Sequence, residues 1–193
     1  MTKLEVQEKD GKIFCPLKNN WFIAKPEEKV RQKYITILVN EYGYSLEQMA
    51  QELQVNNSSR GHGKARADIV IWKSKKDKDD GKSAFIVVEC KAENVKVHVE
   101  DYYQGFNYAS WAHAEFFVTT NEKETKYFNV DPTYLPQKLE EVVAIPTAND
   151  VYDAKKIEQI KNQTKTFTRE EFTKTLRACH NIIRNNDKLS PEA

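Results

Sequence analysis

No stretch of this chain is apolar over the ~18 to 20 residues that a membrane-crossing helix requires, and the N-terminal MTKLEVQEKDGK has no apolar signal core. No membrane partner is expected, and the chain reads as soluble and cytoplasmic. Cysteine is scarce: Cys15, Cys90 and Cys179 are far apart, odd in number and without Cys-x-x-Cys spacing, which argues against a disulfide framework and a zinc site. Charge of one sign is also missing. Thirty Lys and Arg against 29 Asp and Glu leave a formal net charge of +1, excluding a polybasic binder that holds nucleic acid by bulk attraction. Any DNA contact must come from a local patch. The four histidines, His62, His98, His113 and His180, show no ligand or dyad spacing. No repeat, low-complexity block, helix-turn-helix or zinc finger is visible, so the sequence carries no recognised base-reading motif.

What is present is a chain of 193 residues, 39% hydrophobic and 31% charged, enough for one globular core and an appendage. The first 25 residues are expected to be an irregular lead-in anchored by Ile13, Phe14, Trp21, Phe22 and Ile23. Pro26 suits a first helical turn, and Val30, Tyr34, Ile37, Leu38 and Glu41 recur at spacings of three and four before Gly43, predicting an amphipathic helix. MAQELQV reads as an entering strand. NNSSRGHGKAR reads as a basic loop, with Arg60, Lys64 and Arg66 as candidate contacts to the DNA backbone. ADIVIWK (67–73) and AFIVVECKA (84–92) predict two β-strands joined through the mixed-charge turn KSKKDKDDGKS. A helix over Val97 to Ala112 and a returning strand AEFFVTTN complete an α/β pattern with a central mixed sheet.

The chemistry lies at the ends of the hairpin. Asp68 begins one strand, while Glu89-Cys90-Lys91 ends the next; period-two alternation puts Glu89 and Lys91 on one face and Cys90 on the other. Two hard carboxylates suit Mg²⁺, with Mn²⁺ as a substitute, and an ammonium beside them can orient or polarise an attacking water. An isolated Glu-x-Lys is ordinarily a surface ion pair. Three charged groups ending apolar strands, however, cost folding free energy unless they pair or bind a metal. At the start of the helix, Glu27 precedes Val30, Arg31 and Tyr34 on the expected inward face and Glu28 lies toward the edge, so Glu27 is expected to enter the site. Both acids also complement the positive end of the helix dipole.

PEEKVRQ (26–32), RADIVIW (66–72), IVVECKAE (86–93) and YYQGFNYA (102–109) together resemble the PD-(D/E)xK nuclease superfamily, and within it the N-terminal nuclease domain of the type I restriction enzyme R subunit. The resemblance covers roughly residues 13 to 130. It implies a restriction-endonuclease-like core, a divalent metal at Asp68 and Glu89, and a catalytic role for Lys91; Ala67 stands where the motif name has proline. Gln104 and Tyr108 match its Q-x-x-x-Y element, one helical turn apart, and imply positioning groups. Together with Glu27 these make the expected catalytic set.

The expected activity is metal-dependent hydrolysis of double-stranded DNA without a covalent intermediate. A repair or junction nuclease on the same scaffold, or an inactive DNA-binding module, are the alternatives. Residues 1–148 are expected to form the nuclease domain and 149–193 a linker and C-terminal helix. In that helix Phe172, Leu176, Cys179 and Ile183 make one apolar stripe, and CHNIIRNNDKLSPEA resembles the segment preceding the catalytic region of N-6 adenine DNA methylases. A fused or associated methylase and specificity domain are the partners this implies.

Overall fold

The computed structural model describes residues 3–54, 66–96, 113–130 and 140–163. The lead-in is not irregular. It is an antiparallel three-stranded sheet of β1 (Glu8–Lys9), β2 (Lys12–Cys15) and β3 (Asn20–Ile23). Asp10 and Gly11, at φ +52° and +70°, form a two-residue turn between Lys9 and its partner Lys12. Asp-Gly favours this reversal because both positions need left-handed backbone. The tilted pair Phe14–Trp21, with centroids 5.4 Å apart, stiffens one face, while Ile13 and Cys15 are buried on the other.

Helix α1 (Pro26–Asn40) starts on proline as expected, where the missing N–H is no loss. It ends before Gly43, whose φ of +75° lets the Tyr44 N–H return to the Leu38 carbonyl. A 3-10 turn (Leu46–Gln48) leads into β4 (Met49–Gln54), and β5 (Arg66–Ile71) pairs with it antiparallel. The mixed-charge connector after β5 holds a short helix, α2 (Lys75–Asp79), because the Ser74 hydroxyl accepts from the Asp77 N–H and caps it. Then follow β6 (Ile86–Cys90), β7 (Phe116–Thr120), β8 (Thr125–Asn129), β9 (Glu140–Val142) and α3 (Ala154–Asn162).

Strands β4 to β9 lie in sequence order in one six-stranded sheet, antiparallel throughout except for the parallel β6–β7 pair. A parallel pair needs a crossover of a dozen or more residues. The crossover lies between Cys90 and Phe116, and the helix expected at 97–112 falls outside the described residues.

Alternation splits the core in two. Ile69, Ile71, Ile86, Val88, Phe116 and Val118 join Val30, Tyr34, Ile35 and Leu38 of α1, while Val70, Trp72, Val87, Phe117 and Phe128 form a second cluster. The architecture is therefore the expected α/β arrangement, a mixed sheet with helices packed on it. Val151 and Ile157 also belong to the α1-side cluster, and Lys161 reaches Glu115 at 3.0 Å. This carries the packed core past the boundary expected at residue 148. Residues 164–193, including the expected terminal helix, lie outside the described residues. Among the described residues no helix is long and apolar enough to cross a membrane.

Candidate active site

The β5–β6 ladder runs from Ile71↔Ile86 to Ile69↔Val88 and stops. At the next step the strands part, and the Asp68 side chain fills the gap: its Oδ2 accepts the Cys90 backbone N–H at 2.7 Å. On the other edge of β6 the Lys91 N–H still bonds the Thr120 carbonyl of β7 at 2.8 Å. The end of β6 is thus gripped on both sides, one grip being a carboxylate. Glu89 and Lys91 share a face, and Lys91 Nζ donates to Glu89 Oε1 at 3.1 Å. Cys90 points into the α1-side core, where burial and the Asp68 charge push its thiol pKa up and leave it unreactive. Cys15 and Cys90 are both free and buried; Cys179 lies outside the described residues.

Glu89 is only 9% exposed, and its Oε2 is buried without a hydrogen-bond partner among the described residues. Burial above all, then the charges of Asp68 and Glu27, raise its pKa from 4.5 to about 7 against the opposing pull of Lys91. The sign for stability follows. Both folded and unfolded chains hold this proton below about pH 4.5, and stability then falls as the pH climbs to about 7, because only the folded state resists ionisation. In chelator at about pH 8, Glu89→Gln is therefore expected to raise stability by roughly 2–3 kcal/mol, with the gain gone at about pH 4. Chemical denaturation of both proteins across that range checks it. A gain independent of pH, or none, overturns the assignment.

The sequence reading missed Arg31. It is 5% exposed and sits between the helix-start acids and the strand: its guanidinium donates to Asp68 Oδ1 at 2.5 Å, to Glu28 Oε2, and to Glu27 Oε1 at 3.2 Å. Burial works against its charge, but Asp68 and Glu28 beside it raise its pKa. The helix-start acids are also placed the other way round from the expectation. Glu28 is buried, while the Glu27 side chain is 51% exposed and stands at the rim. The inward face of the first turns follows Glu28, Arg31, Gln32 and Ile35, because this end of α1 faces β4 and the tip of β5 rather than the middle of the sheet.

A buried polar chain holds Glu28. Gln32 Nε2 and Gln51 Nε2 donate to its Oε1 at 2.7 and 3.1 Å, and Gln51 Oε1 accepts from Gln32 and from the Cys15 thiol at 2.9 and 3.0 Å. Glutamines at helix and strand positions gave no signal of this, since their partners lie 19 and 23 residues apart in sequence. Arg66 opens β5 and is exposed. Arg60, Lys64, Gln104 and Tyr108 lie outside the described residues.

Among the described residues no group of three or more His, Cys, Asp or Glu side chains is placed to hold a metal ion, while the carboxylates of Asp68 and Glu89 lie close enough for the charge of one to act on the other. Two carboxylates suffice for a hard divalent ion that keeps water and phosphate oxygens in its other positions. The partnerless Glu89 Oε2 fits such a ligand.

The family whose model describes the N terminus of the type I restriction enzyme R protein matches residues 26–146. Among solved structures, a fragment assigned to the HsdR subunit of a type I restriction enzyme from Vibrio vulnificus YJ016 matches at 20% identity and a TM-score of 0.47, over 68% of this chain and 25% of that one. The chain thus spans a quarter of the length of that structure. No curated protein matches.

Proposed function

Because the chain belongs to the type I restriction enzyme R protein N-terminal family, we propose that it is a Mg²⁺-dependent endonuclease unit hydrolysing double-stranded DNA, with its site at the broken end of the β5–β6 ladder. The observation that carries the reading is the meeting of Asp68, Glu89 and Lys91 there, with the buried Glu89 Oε2 lacking any partner. A buried carboxylate oxygen with no partner among the described residues calls for an explanation, and a bound cation is one.

Asp68 and Glu89 would hold the cation, which when bound neutralises phosphate charge and lowers the pKa of water. Lys91 Nζ, fixed by Glu89, orients the attacking water and faces the charge growing on the phosphate. Arg31 holds Asp68 in place, and Glu28 holds Arg31. Glu27, at the rim, adds negative charge near the cation. Gln104, Tyr108, Arg60, Lys64 and Arg66 are proposed to position the DNA backbone. Joined to a longer R protein, the unit would act with methylase and specificity subunits.

One observation favours a second reading, a DNA-binding module with a closed site: both Asp68 oxygens are already bonded, one of them to a cation in Arg31. Metal binding separates the two. Mg²⁺ or Mn²⁺ at ~100 times its Kd is expected to add about 2.7 kcal/mol to stability, and Asp68→Ala with Glu89→Ala to remove the effect. Calorimetric titration with and without DNA measures it. A flat titration in both cases rejects the metal nuclease.

A further inference from the structure

A cleft of about 410 Å³ opens beside the site, between β3 and the start of α1. It shares Glu27, Glu28 and Arg31 with the site, and Phe22 and Ile23 also line it. Ile23 is 67% exposed, an unusual place for a large apolar side chain at the rim of a charged cleft. Lys25 and Glu52 complete its lining.

Glu52 is held there by an irregularity in the sheet. Its φ is +52°, the left-handed region, in the middle of β4, and the β4–β5 ladder skips the step between Gln51↔Ile69 and Leu53↔Ala67 where Glu52 would face Asp68. A non-glycine residue keeps that conformation only when its surroundings enforce it, and such residues gather at ligand sites. Glu52 Oε2 accepts from Lys18 at 2.8 Å, Oε1 lies 3.8 Å from Arg31, and the bond from Lys18 lowers its pKa, so it is an ionised acceptor.

Apolar lining residues, carboxylates that only accept hydrogen bonds, a lysine and continuity with the proposed phosphodiester site suit one class of ligand. Resting on the nuclease reading, we propose that this cleft receives a nucleobase bearing an exocyclic amino group, from a nucleotide next to the scissile phosphate: Phe22 and Ile23 pack against the base, Glu52 accepts from its amino group, and Lys25 meets its phosphate. Cytosine, adenine and guanine offer that donor. Thymine presents carbonyl oxygens instead and sets acceptor against acceptor. The volume lies in the range of small-ligand sites.

Single strands present bases without the cost of unpairing, and homopolymers remove any question of register. The test is fluorescence anisotropy of labelled oligo-dC and oligo-dT in chelator, low salt and slightly alkaline pH, with the whole 193-residue chain. These two pyrimidines differ at the group read by Glu52. The wild type is expected to bind oligo-dC roughly tenfold tighter than oligo-dT. Glu52→Gln should bring the ratio near one, because an amide also donates to thymine, and Ile23→Ser should weaken both severalfold through lost base packing. Ile23 is a surface position, so its variant should melt like the parent.

Equal wild-type affinities, or a preference that survives both substitutions, overturn the subsite. If plasmid is still cut in that case, the nuclease reading stands without it. Absence of binding to either oligonucleotide and to duplex overturns both.

Discussion

Lys91→Ala is expected to leave plasmid uncut in Mg²⁺ under conditions where the parent chain nicks it, a loss of roughly a hundredfold or more, while melting within about 1 kcal/mol of the parent. The side chain sits at a strand end, 21% exposed, and its Nζ donates to Glu89 Oε1. Removing it opens no core cavity, and ion pairs with one partly exposed member contribute little to stability. In the reaction its place is different: it is the ammonium nearest the buried carboxylate proposed to hold the cation. The loss should appear in kcat rather than in DNA affinity, since an interaction made mainly as charge develops on the phosphate is absent from the bound ground state. Lys91 also pulls the Glu89 pKa down, so the variant should hold the Glu89 proton to higher pH, which carboxylate spectroscopy reads. Undiminished cutting by a folded Lys91→Ala protein would remove this residue from the mechanism.

Arg31→Met is expected to destabilise the chain by about 3–5 kcal/mol, the largest effect on folding of any single change at the site. The guanidinium answers three carboxylates, two of them buried, and its loss leaves Asp68 and Glu28 charged in a low-dielectric setting with no cation between them. Arg31→Lys should lie between, because an ammonium keeps the charge but cannot span Asp68 and Glu28 with a planar fork. Adding Glu28→Gln and Asp68→Asn to Arg31→Met should recover part of the loss, as the uncompensated charges go with their partner. Urea denaturation of the parent, Arg31→Met, Glu28→Gln with Asp68→Asn alone, and the triple variant gives the coupling directly. Additive losses across the set would mean that Arg31 stabilises by packing and not as a counter-ion.

Much of this was legible one segment at a time. Pro26, the three-and-four spacing of Val30, Tyr34, Ile37 and Leu38, and Gly43 mark α1 because a helix is a local object, closed by bonds between near neighbours in sequence. The pair β5 and β6 reads from β-branched runs, and the shared face of Glu89 and Lys91 from strand alternation alone. The signals passed over in the lead-in and in the connector after β5 were equally local: Asp10-Gly11 marks a two-residue hairpin, and Ser74 with Asp77 three residues on marks a helix start.

Other features needed the folded chain. Arg31 looks like any helix-surface arginine until register brings Asp68, 37 residues away, under it. Whether Glu27 or Glu28 turns inward depends on which part of the sheet the first turn of α1 faces, and the 100° step between adjacent helical residues is too fine to settle that from periodicity near a helix end. The broken ladder at Asp68, the kink at Glu52 and the cleft beneath β3 exist only as relations between strands. Sequence sets the local periods and the residue chemistry; long-range register decides which charges meet, and that decision gathered two buried carboxylates, Asp68 and Glu28, and one at the rim, Glu27, around a buried arginine.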